Sequence, residues 1–198
     1  MTDIAIIIGS TRPRRRAAMV ADWVLDVADR EPVDGVHYEI IDLAEFDLPL
    51  LDEEIPAAIG AYANPHTRVW AQAIDRFDGF VFVTPEYNHS MPAALKNAID
   101  YLFAEWSDKA AGFVSYGLHG GVRAVEHLRL TLAEVKVAAV RSTVALSLFN
   151  DFELTDMTQP GTLTPGRHHE PVLHRMLGEI VDWTNALAPL RAKAGATV

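Results

Sequence analysis

The chain predicts an α/β fold: a five-stranded parallel sheet in the order 2-1-3-4-5 with helices on both faces. Three observations carry this. Apolar runs of strand length alternate five times with apolar stripes at helical spacing, and such alternation builds parallel sheets from βαβ units. The first run, Ile4–Ile8, is continuously apolar and rich in β-branched residues, as in a strand buried on both faces. The second, Val36–Ile41, alternates, as an edge strand does. Right-handed crossovers leave few topologies, and a central first strand beside an edge second strand favours 2-1-3-4-5 over 3-2-1-4-5.

Each element has its own signal. Val20, Trp23, Val24 and Val27 recur at i, i+3, i+4 and i+7 and mark the first helix. Residues 43–61 form a long connection with Pro49 and Pro56; Asp52, Glu53 and Glu54 within it read as a solvated acidic turn. Val69, Trp70, Ala73, Ile74 and Phe77 stripe the second helix, and Phe80–Val83 is the third strand. Pro92 suits the first turn of a third helix, striped by Leu95, Ala98, Ile99 and Leu102 and continuing to Trp106 near its exposed end, where an interface role stands against burial within one subunit. Gly112–Tyr116 is the fourth strand, Val125, Leu128 and Leu132 mark the fourth helix, and Val137–Val140, extending towards Leu148, is the fifth strand. Residues 150–167 read as loop, and the stripe from Val172 to Leu187 as a last helix, with a frayed tail from about Ala192.

Composition narrows the function classes. The chain has 198 residues, one domain's worth, and a formal net charge of −10. Such an acid balance disfavours general binding to nucleic acid or anionic membrane. No apolar stretch approaches the roughly 18 residues of a membrane span, and the short N-terminal run does not read as a signal peptide. Zero cysteines exclude a disulfide framework, a thiolate nucleophile and Cys-ligated metal, and fit a cytoplasmic location. Against the acidic average, Arg12, Arg14, Arg15 and Arg16 crowd into five positions.

In an open parallel sheet, ligands sit outside the carboxyl ends of the strands. The three segments leaving those ends of strands 1, 3 and 4 are also the most unusual in the chain. The first, Gly9 to Arg16, joins hydroxyls and guanidinium groups at a helix N-terminus, where backbone N–H groups and the dipole favour an anion. Arginines there oppose the dipole unless an anion lies between. Neither G-x-G-x-x-G nor G-x-x-x-x-G-K-[ST] is present, so a terminal monophosphate fits better than a dinucleotide or triphosphate. The second segment, Thr84 to Pro92, offers in Tyr87 and Asn88 a flat face and an amide fork suited to a planar heteroaromatic ring. The third, Ser115 to Arg123, places Gly117, Gly120 and Gly121 where backbone can approach a ligand.

Together these segments resemble the NAD(P)H-dependent FMN reductase family, which has a flavodoxin-like fold. The Gly9-Ser10-x-Arg12 loop, Pro85-Glu86-Tyr87-Asn88 before Leu95-Lys96-Asn97-Ala98, and the Gly117-x-x-Gly120-Gly121 turn carry the likeness over roughly residues 3–145. Arg15 and Ala17 stand where many members have Ser and Asn. The resemblance implies FMN as cofactor and NAD(P)H as co-substrate. Ser10 and Arg12, with Arg15 or Arg16, would hold the FMN phosphate. Pro85 to Asn88 would line the isoalloxazine, and Ser115, Tyr116, Gly117, Gly120 and Gly121 would bound its pyrimidine side. It also implies a homodimer with sites near the interface, a role in which an exposed Trp106 would fit, and a higher homo-oligomer is the alternative. The flavin carries the redox chemistry, so no protein group is assigned a catalytic role. With no second nucleotide fingerprint, a ping-pong cycle is expected, passing electrons to a quinone, azo compound, metal oxyanion or free flavin.

Two rivals stand beside this reading: a flavodoxin-like single-electron carrier that binds FMN without NAD(P)H turnover, and a vacant regulatory module of the same fold. Other motifs fail. His169-Glu170-Pro171-Val172-Leu173-His174 is one residue too long for a zincin and puts its histidines on different helix faces. There is no G-x-S-x-G elbow. His119 and His127 read as surface or interface residues.

Overall fold

A computed structural model describes residues 1–195. Strands β1 (Thr2–Ile8), β2 (Val36–Asp42), β3 (Gly79–Pro85), β4 (Lys109–Gly117) and β5 (Val137–Ser147) form one parallel sheet in the order β2-β1-β3-β4-β5. The expected order is therefore the observed one. Every residue of β3 and β4 is buried, whereas β2 buries only Ile41, as an edge allows.

Helices α2 (Pro65–Asp75), α3 (Ala93–Asp100) and α4 (Val122–Glu134) cover one face; α1 (Ala17–Arg30) and α5 (His169–Gly195) cover the other. Glycines in the central strands let α5 settle close. A Cβ on Gly112 would lie 2.8 Å from Ile180 Cδ1, and one on Gly79 would lie 2.8 Å from Thr184 Oγ1. Bulk at either position would lift the helix off the sheet.

The structure departs from expectation at several points. Trp106 is not exposed. Helix α3 ends at Asp100, and the indole turns into the core, fully buried, with Nε1–H donating to the Ile99 carbonyl. The dimer argument resting on it is thereby lost. Pro92 stands just outside α3 as its N-cap, with ψ 141°, not in the first turn. Val69 is 57% exposed, because the α2 stripe turns through Trp70, Ala71 and Ile74 instead. Within 150–167, β6 (Phe152–Glu153) pairs antiparallel with β7 (Thr162–Leu163). The expected fray from Ala192 is helix through Gly195, since Arg191 donates to the Asp108 and Thr184 carbonyls and to Asp78; the rest of that tail lies outside the described residues. The acidic turn is solvated as expected, with Asp52 and Glu54 exposed, and it is also hydrogen-bonded: Asp52 accepts from Tyr101 and His66, and Glu53 from the Ala63 and Asn64 amides. Among the described residues, no helix is long and apolar enough to cross a membrane.

Candidate functional site

Because β1, β3 and β4 run parallel, the loops leaving their carboxyl ends emerge side by side. They enclose a cleft of about 360 Å³, lined by Arg12 to Arg16, Pro85 to Tyr87, and Tyr116 to Leu118. Thus the three segments singled out in the sequence do meet. Leu148 and the stretch Met157–Gln159 complete the lining. Sequence reasoning missed that last stretch; only its position between β5 and α5 hinted at it.

The first loop supplies cations to a bare helix end. Helix α1 starts with neither a side-chain cap nor an acidic residue in its first turn. Arg12 and Arg14 are exposed, and Arg14 adopts φ 56°. Arg15 pairs with Asp42 at the end of β2, yet its Nε is buried without a hydrogen-bond partner. Arg16 donates to the Gln159 and Pro160 carbonyls at 2.9 and 2.8 Å. Ser10 is fully buried, with its Oγ 3.0 Å from the Tyr87 hydroxyl. It therefore joins the first loop to the second.

The second loop is a tight reversal. Tyr87 and Ser90 exchange both backbone hydrogen bonds, at 2.9 and 3.1 Å, around Asn88 and His89 with φ of 50° and 69°. Two successive non-glycine residues in the left-handed region are strained, and such strain concentrates at functional turns. Asn88 sits exposed at the tip. Two ties hold the loop against α4: Glu86 accepts from the Arg123 amide and guanidinium, and His127 Nδ1 meets Ser90 Oγ at 2.9 Å. His127 is thus partnered at the site's edge, and His119 is exposed.

Burial pushes the Glu86 carboxyl upward, but the Arg123 bonds outweigh it and hold it below its usual 4.5. A carboxylate depressed in the folded state stabilises fully above its unfolded value and loses that contribution as pH falls through the folded value. Wild-type protein should therefore lose more stability than Glu86→Gln on acidification below pH 4.5. Urea midpoints at pH 7 and pH 3 measure this; parallel losses would contradict it.

The third loop packs backbone on backbone. Gly120 and Gly121 have φ of 75° and 73°, and Ser115 Oγ–H donates to the Gly120 carbonyl at 2.6 Å. Ser115 is buried, so it shapes the turn from beneath. Gly117 accepts from the Gly120 and Leu148 amides. Tyr116 faces the cleft; burial raises its phenol well above the ordinary value, against the opposing pull of Arg16 and Arg15. Among the described residues, no cluster of His, Asp and Glu could hold a metal ion.

The sequence profile of the NADPH-dependent FMN reductase family matches residues 2–151, the span that contains all three loops. The chain belongs to that family. An NAD(P)H-dependent FMN reductase of Nectria sp. is 35% identical, covering 86% of this chain and 92% of its own length. One from Schizosaccharomyces pombe is 38% identical over 79% of this chain and 78% of its own. A quinone reductase of Pseudomonas putida is 33% identical over 79% and 87%. Among solved structures, a flavoenzyme NAD(P)H:(acceptor) oxidoreductase of Paracoccus denitrificans superposes with TM-score 0.68 at 21% identity, covering 94% of this chain and 98% of that one. At that identity the likeness concerns the fold.

Proposed function

We propose that the chain is an FMN-dependent NAD(P)H oxidoreductase working by a ping-pong cycle on a small acceptor. The observation that carries the cofactor is the cradle at α1. There a helix start without an acid meets the exposed Arg12 and Arg14 beside Arg15, and one buried guanidinium nitrogen, Arg15 Nε, has no partner. Donors in excess of acceptors in a half-enclosed site call for an anion. The terminal phosphate of FMN fits that deficit, and the shelf of Pro85, Tyr87, Tyr116 and Gly117 fits a flat ring beside it. When bound, FMN supplies the two-electron chemistry, accepting hydride from NAD(P)H and delivering electrons to the acceptor.

The protein's part is position and electrostatics. Arg12, with Arg15 held by Asp42, binds the phosphate end. Ser10 fixes Tyr87 from below, and Arg123 of α4 fixes the same loop through Glu86, so the ring shelf is set before ligand arrives. Pre-set groups lose little entropy on binding. Relatives named quinone reductase and NADPH azoreductase support a small-molecule acceptor of the quinone or azo kind, with free flavin and metal oxyanions as the other candidates. The same reading takes residues 1–198 as one FMN-binding domain in a cytoplasmic homodimer, supported by the family resemblance and the cysteine-free composition.

Stopped-flow mixing of the FMN-loaded protein with NADPH should bleach the flavin spectrum within one turnover. A carrier without NAD(P)H turnover would stay yellow. Double-reciprocal plots for NADPH and quinone should then be parallel, and intersecting lines would overturn the ping-pong order. Arg12→Ala should weaken FMN by about tenfold, the worth of a charge-assisted bond, and leave riboflavin unchanged. Equal losses in a fluorescence titration would contradict the phosphate role.

A further inference from the structure

The family match ends at residue 151, yet Met157, Thr158 and Gln159 line the cleft. Something beyond the shared core aims that stretch inward. Its base is Asp151, 3% exposed. Asp151 Oδ2 accepts from the Ser147 amide at 2.8 Å, and Oδ1 accepts from the Gly166 amide at 3.0 Å. The same Oδ1 lies 3.0 Å from His169 Nε2, and the Asp151 carbonyl accepts from the Thr164 amide at 2.8 Å. One buried residue thus clamps the end of β5, the return strand and the start of α5. Gly161, with φ 74°, makes the reversal: a Cβ there would lie 2.5 Å from the Glu153 carbonyl oxygen.

The tip is pinned from across the chain. Arg16 Nε and Nη2 donate to the carbonyls of Pro160 and Gln159 at 2.8 and 2.9 Å, spanning 144 and 143 residues. Arg16 is also the N-cap residue of α1, at the foot of the anion cradle. Its guanidinium fork is therefore spent on the tip, unlike those of its neighbours Arg12 and Arg14. Bonds from a charged donor are about twice as strong as neutral ones, so two from one rigid fork fix position as well as adding energy.

We propose that Arg16 is a positioning residue that pins the 154–161 tip over the cleft, and that the pinned tip forms a wall against which the flavin is held. This rests on the flavin reading of the cleft. The arginine cluster is then divided in its roles, with Arg12 and Arg15 acting on the phosphate and Arg16 acting through the wall. The effect of Arg16 is the same for flavins with and without a phosphate.

Hydrogen exchange and flavin titration test this together. In ligand-free Arg16→Ala, the Thr158 and Gln159 amides, both bonded within the tip to Asp156, should exchange faster. The Thr164 and Gly166 amides, bonded to Asp151, should not change. FMN and riboflavin affinities should fall by a common factor of about ten, the worth of a charged hydrogen bond. Arg16→Lys, which can reach one carbonyl, should restore part of both. Unchanged exchange at the tip overturns the pin. A loss confined to FMN makes Arg16 a direct phosphate contact and overturns the proposal. Faster exchange with unchanged affinities overturns the wall. Wild-type protein that binds neither flavin overturns the flavin reading and the wall with it, while the exchange result still decides the pin.

Discussion

Gly121→Ala is expected to lose both stability and flavin binding, although it adds one methyl group. Gly121 caps α4 at φ 73°, a conformation that costs an L-residue about 1–2 kcal/mol. The added Cβ would also lie 2.9 Å from the Tyr116 amide nitrogen and 3.0 Å from its carbonyl oxygen. Both are backbone atoms of β4, a fully buried strand, and cannot swing aside. Relief must come from moving the Gly117–Gly121 turn or the end of β4, which carry the Tyr116–Gly117 part of the cleft shelf. Gly35→Ala is the matched control. Its φ is 77°, but nothing lies within 4 Å of its Cβ position. Gly35→Ala should show the conformational cost alone and bind FMN normally. Gly121→Ala should exceed that loss in urea midpoint and weaken FMN by roughly tenfold or more, since a site displaced by a fraction of an ångström loses its preorganisation. Equal midpoints, or normal FMN affinity, would refute the steric account.

Much of the fold was legible because the sheet's burial is written in local chemistry. Ile4 to Ile8 and Phe80 to Val83 are apolar at every position, and both are buried on both faces. Val36 to Ile41 alternates, and it is the edge. The three loops could be gathered into one site from sequence because parallel strands send their carboxyl ends to the same side. What stayed hidden depends on partners far along the chain. Nothing near Arg15 marks Asp42 as its partner, and nothing near Arg16 announces carbonyls more than 140 residues away. The helical end past Ala192 is held by Arg191 reaching Asp78 and the Asp108 carbonyl. Asn88 belongs to the motif as read, but its place at an exposed tip follows from a pair of left-handed residues, Asn88 and His89, that lacks the glycine such turns prefer.

Trp106 shows how a fold-level correction changes a functional expectation. As an exposed aromatic it would serve an interface; as a buried one it serves the sheet beneath the site. Its ring lies 5.0 Å from Phe80 and 6.1 Å from both Phe82 and Trp70, in tilted or edge-on contact. Phe80 and Phe82 belong to β3, the strand that ends in Pro85 and delivers Glu86 and Tyr87 to the cleft. Trp106→Ala opens a cavity against that strand and strips one donor from the Ile99 carbonyl. The cost of such a truncation is about 3–5 kcal/mol, which in a domain of this size lowers the melting temperature by roughly 6–20 °C. Because the indole packs within one chain, the drop should be the same at low and high protein concentration. An interface tryptophan would instead make the melting temperature of the wild type, but not of the variant, rise with concentration. FMN added to the variant should recover part of the loss, since a ligand that binds only the folded state stabilises it in proportion to its occupancy. Calorimetry at two concentrations, with and without FMN, separates the two roles, and a concentration-dependent difference between wild type and variant would return Trp106 to the interface.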